Sequence, residues 1–258
     1  MSGQTKNETG LTVIVPCYNE EENIEACLKS VTWADEILLV DSFSTDRTLE
    51  IARRYATRIL QHEYVNSAAQ KNWAIPKASH DWILVLDSDE RVSPSLEREI
   101  TSLLAQGPKM QGYWIYRDNF LFGKKIRNSG WGRDSVLRLF EKTSASYEIK
   151  RVHAEIQLAK TGRLQHRLEH HSVLSIDRWV EKINRYSSWK AQDKFEQGSR
   201  FPVMQLICRP FFRFVKDYIF RLGLCDGWRG FLIASMSSCA ELIMSAKLVQ
   251  LLYYKQPS

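Results

Sequence analysis

The six residues VLDSDE (85–90) place three acids at the end of an apolar run: Asp87, Asp89 and Glu90. Carboxylates crowded at the mouth of a buried strand lose hydration and repel one another. A divalent cation relieves both costs. Hard oxygen ligands suit Mg²⁺ or Mn²⁺, which keep waters and take phosphate oxygens beside one or two carboxylates. The stretch therefore reads as a grip on a metal and a diphosphate, with Asp89 and Asp87 as the metal ligands. The bland alternative is a solvated acidic turn before a helix opened by Ser93, because D-x-D is a common tripeptide. Asp41, at the end of EILLVD (36–41), stands at a matching position and favours the functional reading. Phosphatases that use D-x-D around a nucleophilic Asp carry it after their first strand, usually followed by Thr or Val. Here it follows a later strand and runs on into Glu90-Arg91, which counts against that chemistry.

Those acids need strands to hold them. LTVIVP (11–16), EILLVD (36–41), RIL (58–60) and DWILVLD (81–87) read as strands. Helices are expected between and after them over 20–31, 44–56, 67–78 and 93–105, with acids in the first turn of one and Ser93-Pro94 opening the last. Alternation of helices with nearly continuous apolar strands predicts an α/β fold, a mostly parallel sheet with helices on both faces. Functional groups in such sheets gather at the carboxyl ends of strands, beside the switch point, and Asp41 and Asp87 fall there. Beyond residue 105 the pattern changes. GYWIYRDNFLFGKKI (112–126) and SVLRLFEK (135–142) predict a mixed or antiparallel extension, with the Gly-rich loop RNSGWGRD (127–134) between them. Residues 176–198 read as a helix ending at Gly198, and 201–255 as two or three aromatic-rich amphipathic helices divided near Gly227. The expected division is a catalytic domain over 1–175, with halves at 11–105 and 106–175, and a helical, membrane-proximal region over 176–258.

The composition, 44% hydrophobic and 26% charged, is that of a folded globular chain and excludes a disordered one. The net charge of +6 is unevenly spread: residues 1–100 carry 10 bases and 17 acids, so the surplus of bases lies beyond them. A basic second half implies an anionic partner or, more plainly, a solvated basic face. No nucleic-acid motif accompanies it, so no nucleic acid is expected. Five cysteines without CxxC spacing predict neither a disulfide framework nor a zinc site, and a reducing compartment. The polar N-terminus lacks the apolar core of an export signal. The longest uncharged stretch near the C-terminus, Gly230–Ala240, is shorter than a membrane span needs.

VIVPCYNEEENI (13–24), VDSFSTDRT (40–48), QKNWA (70–74) and LDSDERV (86–92) together resemble the N-terminal half of inverting glycosyltransferases of family 2, which have the GT-A fold. The resemblance implies that Pro16, Tyr18 and Glu20 form a turn cradling a nucleotide base. It also implies that Asp41 contacts the nucleoside, that Lys71 lies near the nucleotide or its phosphates, and that Asp87 and Asp89 hold Mg²⁺ or Mn²⁺ against the diphosphate. The second half narrows the likeness. RNSGWGRDSVLRLFEK (127–142), RVHAEI (151–156), the histidines of 170–172 and residues 209–234 resemble the lipopolysaccharide-core glucosyltransferases that modify inner-core heptose. The implied reaction moves glucose from a UDP-sugar donor to a glycolipid or oligosaccharide acceptor. Rival expectations are transfer to a polyprenyl phosphate, or a non-catalytic protein that binds nucleotide-sugars.

One departure bears on the base. Relatives read V-H-E where this chain has Val152-His153-Ala154, and Glu155 comes one place later. In a strand, a one-residue shift turns a side chain to the other face, and a bulge restores it. Glu155 is the leading general base and Asp134 the alternate. His153 orients the acceptor or the base, or is structural; His170 and His171 are ligands, acceptor contacts or structural. Arg138 adds positive charge at the site or pairs with Asp134. Trp131, between two glycines, offers a stacking face for a sugar ring or packs in a core. Arg209, Arg213, Lys216 and Arg221, interleaved with aromatic residues, suit the anionic cytoplasmic face of an inner membrane, with the protein peripheral to it.

Overall fold

In the first two strands, β1 (Leu11–Cys17) and β2 (Glu36–Asp41), nearly every side chain is buried, which requires cover on both faces. The computed structural model describes residues 9–144, 146–147, 156–173, 175–199 and 202–254. Alternate residues of β1 and β2 serve opposite faces, as a strand's period of two dictates. Val13, Val15, Ile37 and Leu39 pack with α1 (Ile24–Lys29), α2 (Thr48–Ala52) and α4 (Pro94–Ala105). Ile14, Leu38 and Val40 pack on the other side with α3 (Ser67–Ala74) and Phe140. Two helices are capped as their sequences suggest: Asn66 accepts the Ala69 amide at 2.9 Å, and Ser93 accepts that of Leu96 at 3.3 Å ahead of Pro94.

Strand β3 (Arg58–Gln61) pairs with β2, and β4 (Trp82–Val85) with β1, all parallel, in the order β3–β2–β1–β4. The chain builds outward from β1 on one side and returns on the other. The switch point therefore lies between the carboxyl ends of β1 and β4. The sheet continues through β8 (Ser135–Glu141), β6 (Gly112–Leu121), β9 (Thr161–Val173) and β5 (Glu90–Val92), while β7 (Lys124–Lys125) pairs with β6. The pairs β4–β8, β6–β8 and β5–β9 are antiparallel.

Several expected boundaries change. β4 ends at Val85, two residues before Asp87. The helices expected over 20–31 and 44–56 are shorter, because loops fill their first turns. The expected strand 112–126 is a hairpin turning at Phe122 and Gly123, both at positive φ. Strands β5 and β9 were not foreseen.

The described residues fall into two compact units: the first comprises residues up to 117 together with 135–170, the second 118–134 together with 171 onward. In the second, α5 (Ile176–Glu196) and α6 (Pro202–Val215) pack on α7 (Trp228–Tyr253). A π-helical turn, Lys216–Phe220, extends α6. α7 corrects the expectation drawn from uncharged runs: at 26 residues it is long and apolar enough to cross a membrane, by length and composition alone.

Glu36 anchors the opposite end of β2 from the switch point. Its carboxylate accepts the Ser79 amide at 2.7 Å, the hydroxyls of Thr12 and Ser79 at 2.7 and 2.9 Å, and Arg58 at 3.2 Å. Burial works to raise its pKa, but these hydrogen bonds and the Arg58 charge outweigh it and hold the group below its ordinary value. A depressed carboxylate contributes stability that is complete above the unfolded-state pKa and is lost as pH falls through the folded one. We expect Glu36→Gln to cost on the order of 1–3 kcal/mol at neutral pH and to flatten that part of the acid limb, read from urea midpoints across pH.

Candidate functional site

The loops that follow β1 and β2 lie side by side because the strands pair in register, Cys17 opposite Asp41. They are laced together. The Asn19 amide donates to Ser44 Oγ at 2.9 Å, Asn19 Oδ1 accepts the Thr45 amide at 2.8 Å, and the Glu20 amide donates to Thr48 Oγ1 at 2.8 Å. Asp41 is fully buried and its orientation is set: its carboxylate accepts the Ser44 amide and hydroxyl and, at 3.0 Å, Gln61 Nε2. Pro16 lies within β1 opposite Val40. Glu20 accepts Asn23 Nδ2 at 2.8 Å and so shapes the turn. Tyr18 and Phe43 stand out as aromatic rings 56% and 55% exposed, one on each loop. Phe43 has a φ of 62°, a left-handed conformation unfavourable for a bulky residue. Such strain collects at ligand sites. Phe43 was not singled out from sequence.

At the switch point, residues 87–90 close a tight turn. The Glu90 amide donates to the Asp87 carbonyl at 2.8 Å, and the Asp87 amide donates to Glu90 Oε2 at 3.1 Å. The acids do not meet water as a bare cluster. Asp87 Oδ1 lies 3.0 Å from Lys71 Nζ, and its Oδ2 accepts from Arg138. Glu90, fully buried, receives Arg138 at 2.8 Å and Arg117 at 3.1 Å. Burial alone would raise the Asp87 carboxyl, but the charges of Arg138 and Lys71 hold it well below the usual range. Burial lowers Lys71, helped by the nearby Arg138 charge and opposed by Asp87. For Arg138 burial also works downward, but Asp87 and Glu90 overcome it and hold the guanidinium firmly protonated. Of the alternatives open for Arg138, the geometry supplies Asp87 and Glu90 as partners. Arg138 Nε is buried with no hydrogen-bond partner among the described residues.

Asp89 is placed differently. β5 pairs with β9 so that Glu90 faces His170, which sets His170 Nε2 3.4 Å from Asp89 Oδ2. Among the described residues no cluster of three or more His, Cys, Asp or Glu forms a closed metal cage. A carboxylate beside an imidazole still fits Mg²⁺ or Mn²⁺ when phosphate oxygens and waters supply the remaining ligands. Both Asp87 oxygens carry a protein cation, so Asp89 is the better placed of the pair for metal.

Three other expected residues, Trp131, Asp134 and His171, belong to the second unit. Trp131 packs partly buried near Trp179 at 6.1 Å, with Leu121, Ile126 and Ile233. That favours its packing role over an open stacking face. Asp134 accepts Asn119 Nδ2 at 3.3 Å. His171 stacks on Phe120 at 4.6 Å. His153 and Glu155 lie outside the described residues. Sequence reasoning missed Arg117, for which the signal was a base within an aromatic-rich strand.

The profile of the family described as Glycosyl transferase family 2 matches residues 12–172. The chain is 29% identical over 253 residues to the "Lipopolysaccharide core biosynthesis glycosyltransferase LpsC" of Rhizobium meliloti, covering 93% of this chain and 92% of that one. It is 28% identical over 255 residues to an uncharacterized glycosyltransferase of Rickettsia typhi, covering 93% and 87% respectively. Among solved structures it is similar to S. aureus TarS in complex with UDP, with a TM-score of 0.51 and 15% identity over 96% of this chain and 92% of that one.

The charge network makes a measurable demand on stability. Arg138→Met strips Asp87 and Glu90 of their shared cation and should destabilise the protein by about 3–5 kcal/mol, measured by urea unfolding. Adding Glu90→Gln should recover part of that loss, because one buried charge is then removed with its partner.

Proposed function

The chain belongs to glycosyl transferase family 2, and on that premise we propose that it moves a hexose, glucose by the resemblance of its second half, from a UDP-sugar to a lipopolysaccharide-core or related glycolipid acceptor, with inversion. It is a glycosyltransferase. The likeness to TarS bears out the expected GT-A fold. The observation that carries the finer reading is the Asp87–Glu90 turn at the switch point, with its buried bases and the Asp89–His170 pair. The acceptor class is supported by LpsC, whose name places it in lipopolysaccharide core biosynthesis and whose likeness runs nearly end to end. TarS, of the same fold, was solved with UDP.

In this reading Tyr18 and Phe43 flank the base from neighbouring loops, on the turn shaped by Pro16 and Glu20. Asp41, held by Ser44 and Gln61, meets the nucleoside. Lys71 and Arg138 stand beside Asp87 and lend positive charge to the diphosphate side of the site. Mg²⁺ or Mn²⁺, held by Asp89 with Asp87 and His170 beside it, would supply charge stabilisation to the leaving diphosphate. The acceptor hydroxyl forms the new bond to the anomeric carbon as the bond to the diphosphate breaks. Its proton passes to Glu155, with Asp134 as the alternate base, and His153 orients the reacting groups. Catalysis occupies residues 1–175, and the helical region beyond them keeps the enzyme peripheral on the cytoplasmic face of an inner membrane.

Release of UDP from a panel of UDP-sugars, with Mn²⁺ or Mg²⁺ and with EDTA, tests the reading. One donor should be hydrolysed in a metal-dependent way. Asp89→Asn should lose about a hundredfold or more of that rate with an unchanged circular dichroism spectrum. Absence of both hydrolysis and metal-dependent UDP binding in the wild type would overturn the proposal. His170→Ala should raise the metal concentration needed by tenfold or more, the scale seen even for outer-shell partners. Glu155→Gln should lower kcat while donor affinity holds, and near-normal turnover would remove Glu155 from the base role.

A further inference from the structure

Helix α6 is built inside out. Its exposed positions recur every fourth residue, the spacing of one helix face, and they are apolar. Met204, Ile207, Phe211 and Phe212 are each at least 60% exposed, and Phe220 on the π-helical turn is 77% exposed. The inward row is the charged one. Arg209 lies 3.8 Å from Glu241 of α7, and Asp217, fully buried, joins Arg213 at 2.6 Å and Arg221 at 2.9 Å. Pro210 and Phe214 complete that inner face: the Pro210 carbonyl accepts Ser238 Oγ, and Phe214 meets Phe231. A helix surrounded by water turns its apolar stripe inward. The reverse orientation, with α7 already on the polar side, leaves a contiguous apolar face that needs a cover.

We propose that the outer face of α6 and its π-helical turn is the segment that inserts into a lipid leaflet bearing anionic headgroups, lying flat in the interface. Charge complementarity selects this occupant. Residues 202–225 contain four bases and a single acid, and that acid, Asp217, is buried between two arginines. The surface on offer is therefore apolar and positive only, with Lys216 and Arg221 exposed beside the stripe. A second copy would set like charges against one another. An anionic leaflet takes up the bases at headgroup level and the aromatic rings just below it. Exposed Trp228 and Tyr253, elsewhere in the same unit, are residue types that favour that boundary. The inference deepens the proposed function and rests on it for the glycolipid nature of the acceptor.

The test uses the full chain and sedimented vesicles of equal parts phosphatidylcholine and phosphatidylglycerol. Wild type should bind them, and bind phosphatidylcholine alone far less. Phe211→Ser with Phe212→Ser should bind at least about tenfold less, while keeping UDP release from the soluble donor. A second readout does not depend on that variant. Cys208 is exposed on the same face, and Cys17 and Cys27 are buried. In a chain carrying Cys225→Ser and Cys239→Ser, an environment-sensitive fluorophore on Cys208 should shift to the blue when vesicles are added. No vesicle binding and no shift, or a shift caused by self-association in the absence of lipid, would overturn the inference. Donor hydrolysis is measured separately, so its presence without vesicle binding would leave the transferase reading standing, and vesicle binding without hydrolysis would do the reverse.

Discussion

Two carboxylates at the end of a buried strand must be neutralised, and the first unit is arranged around that requirement. Asp87 and Glu90 draw their counter-charges from three different elements: Lys71 from α3, Arg117 from β6 and Arg138 from β8. Arg138 touches both acids and so joins the parallel block to the antiparallel extension by charge as well as by the β4–β8 ladder. Charges as buried as Glu90, Lys71 and Arg138 gain little net stability from pairing, but each becomes costly to lose. The network thus specifies position more than it adds stability. It fixes Lys71, Arg117 and Arg138 around the turn. It also leaves Asp89, the outer acid of the turn, to face His170.

Much of this was legible where local pattern and tertiary demand agree. Continuous apolar runs at 11–16 and 36–41 became β1 and β2, since a doubly covered parallel strand buries nearly every side chain. Asp41 and Asp87 were found because a carboxylate interrupts the apolar runs over 37–40 and 82–86. β5 was missed because three residues directly after an acidic turn carry no period. β9 was missed for a different reason. Its buried leucines, Leu164 and Leu168, are four residues apart, and the positions between them are polar. That spacing fits a helix as well as every second inward position of a strand, and pairing with β6 and β5 resolves it.

The site shows the same divide. The D-x-D acids, Lys71 and the Asp41 strand end rest on local motifs and are brought near the switch point. The roles of Arg117, Phe43 and the His170–Asp89 approach depend on long-range pairing, which has no local signature. For Trp131 the sequence left stacking and packing open, the glycines beside the aromatic suggesting a loop. Here Gly132 sits against the Arg127 carbonyl, and any Cβ there would lie 1.8 Å from its oxygen. Gly130 takes a φ of 83°. The glycines allow the loop to fold tightly and seat the indole on Trp179, so they serve packing.

α7 shows why charge counts along a sequence mislead about helix length. Glu241 and Lys247 interrupt the apolar run, yet the helix passes through both. Glu241 faces Arg209 of α6, and Lys247 donates to the Asn184 carbonyl, the Asn184 side chain and the Ser188 hydroxyl of α5 at 2.6–2.7 Å. Each charge is met by a neighbouring helix, so neither has to reach water and neither ends α7. The same pairing accounts for the orientation of α6. Its arginines reach acids on the inner side, Glu241 and the buried Asp217, while their side chains stay partly exposed. Turning the apolar stripe inward would break the Arg209–Glu241 pair and carry Asp217, with its two arginines from the same helical segment, out of its buried position. Polar satisfaction on one face thus commits the other to being apolar, and the exposed aromatic stripe follows from the ion pairs behind it.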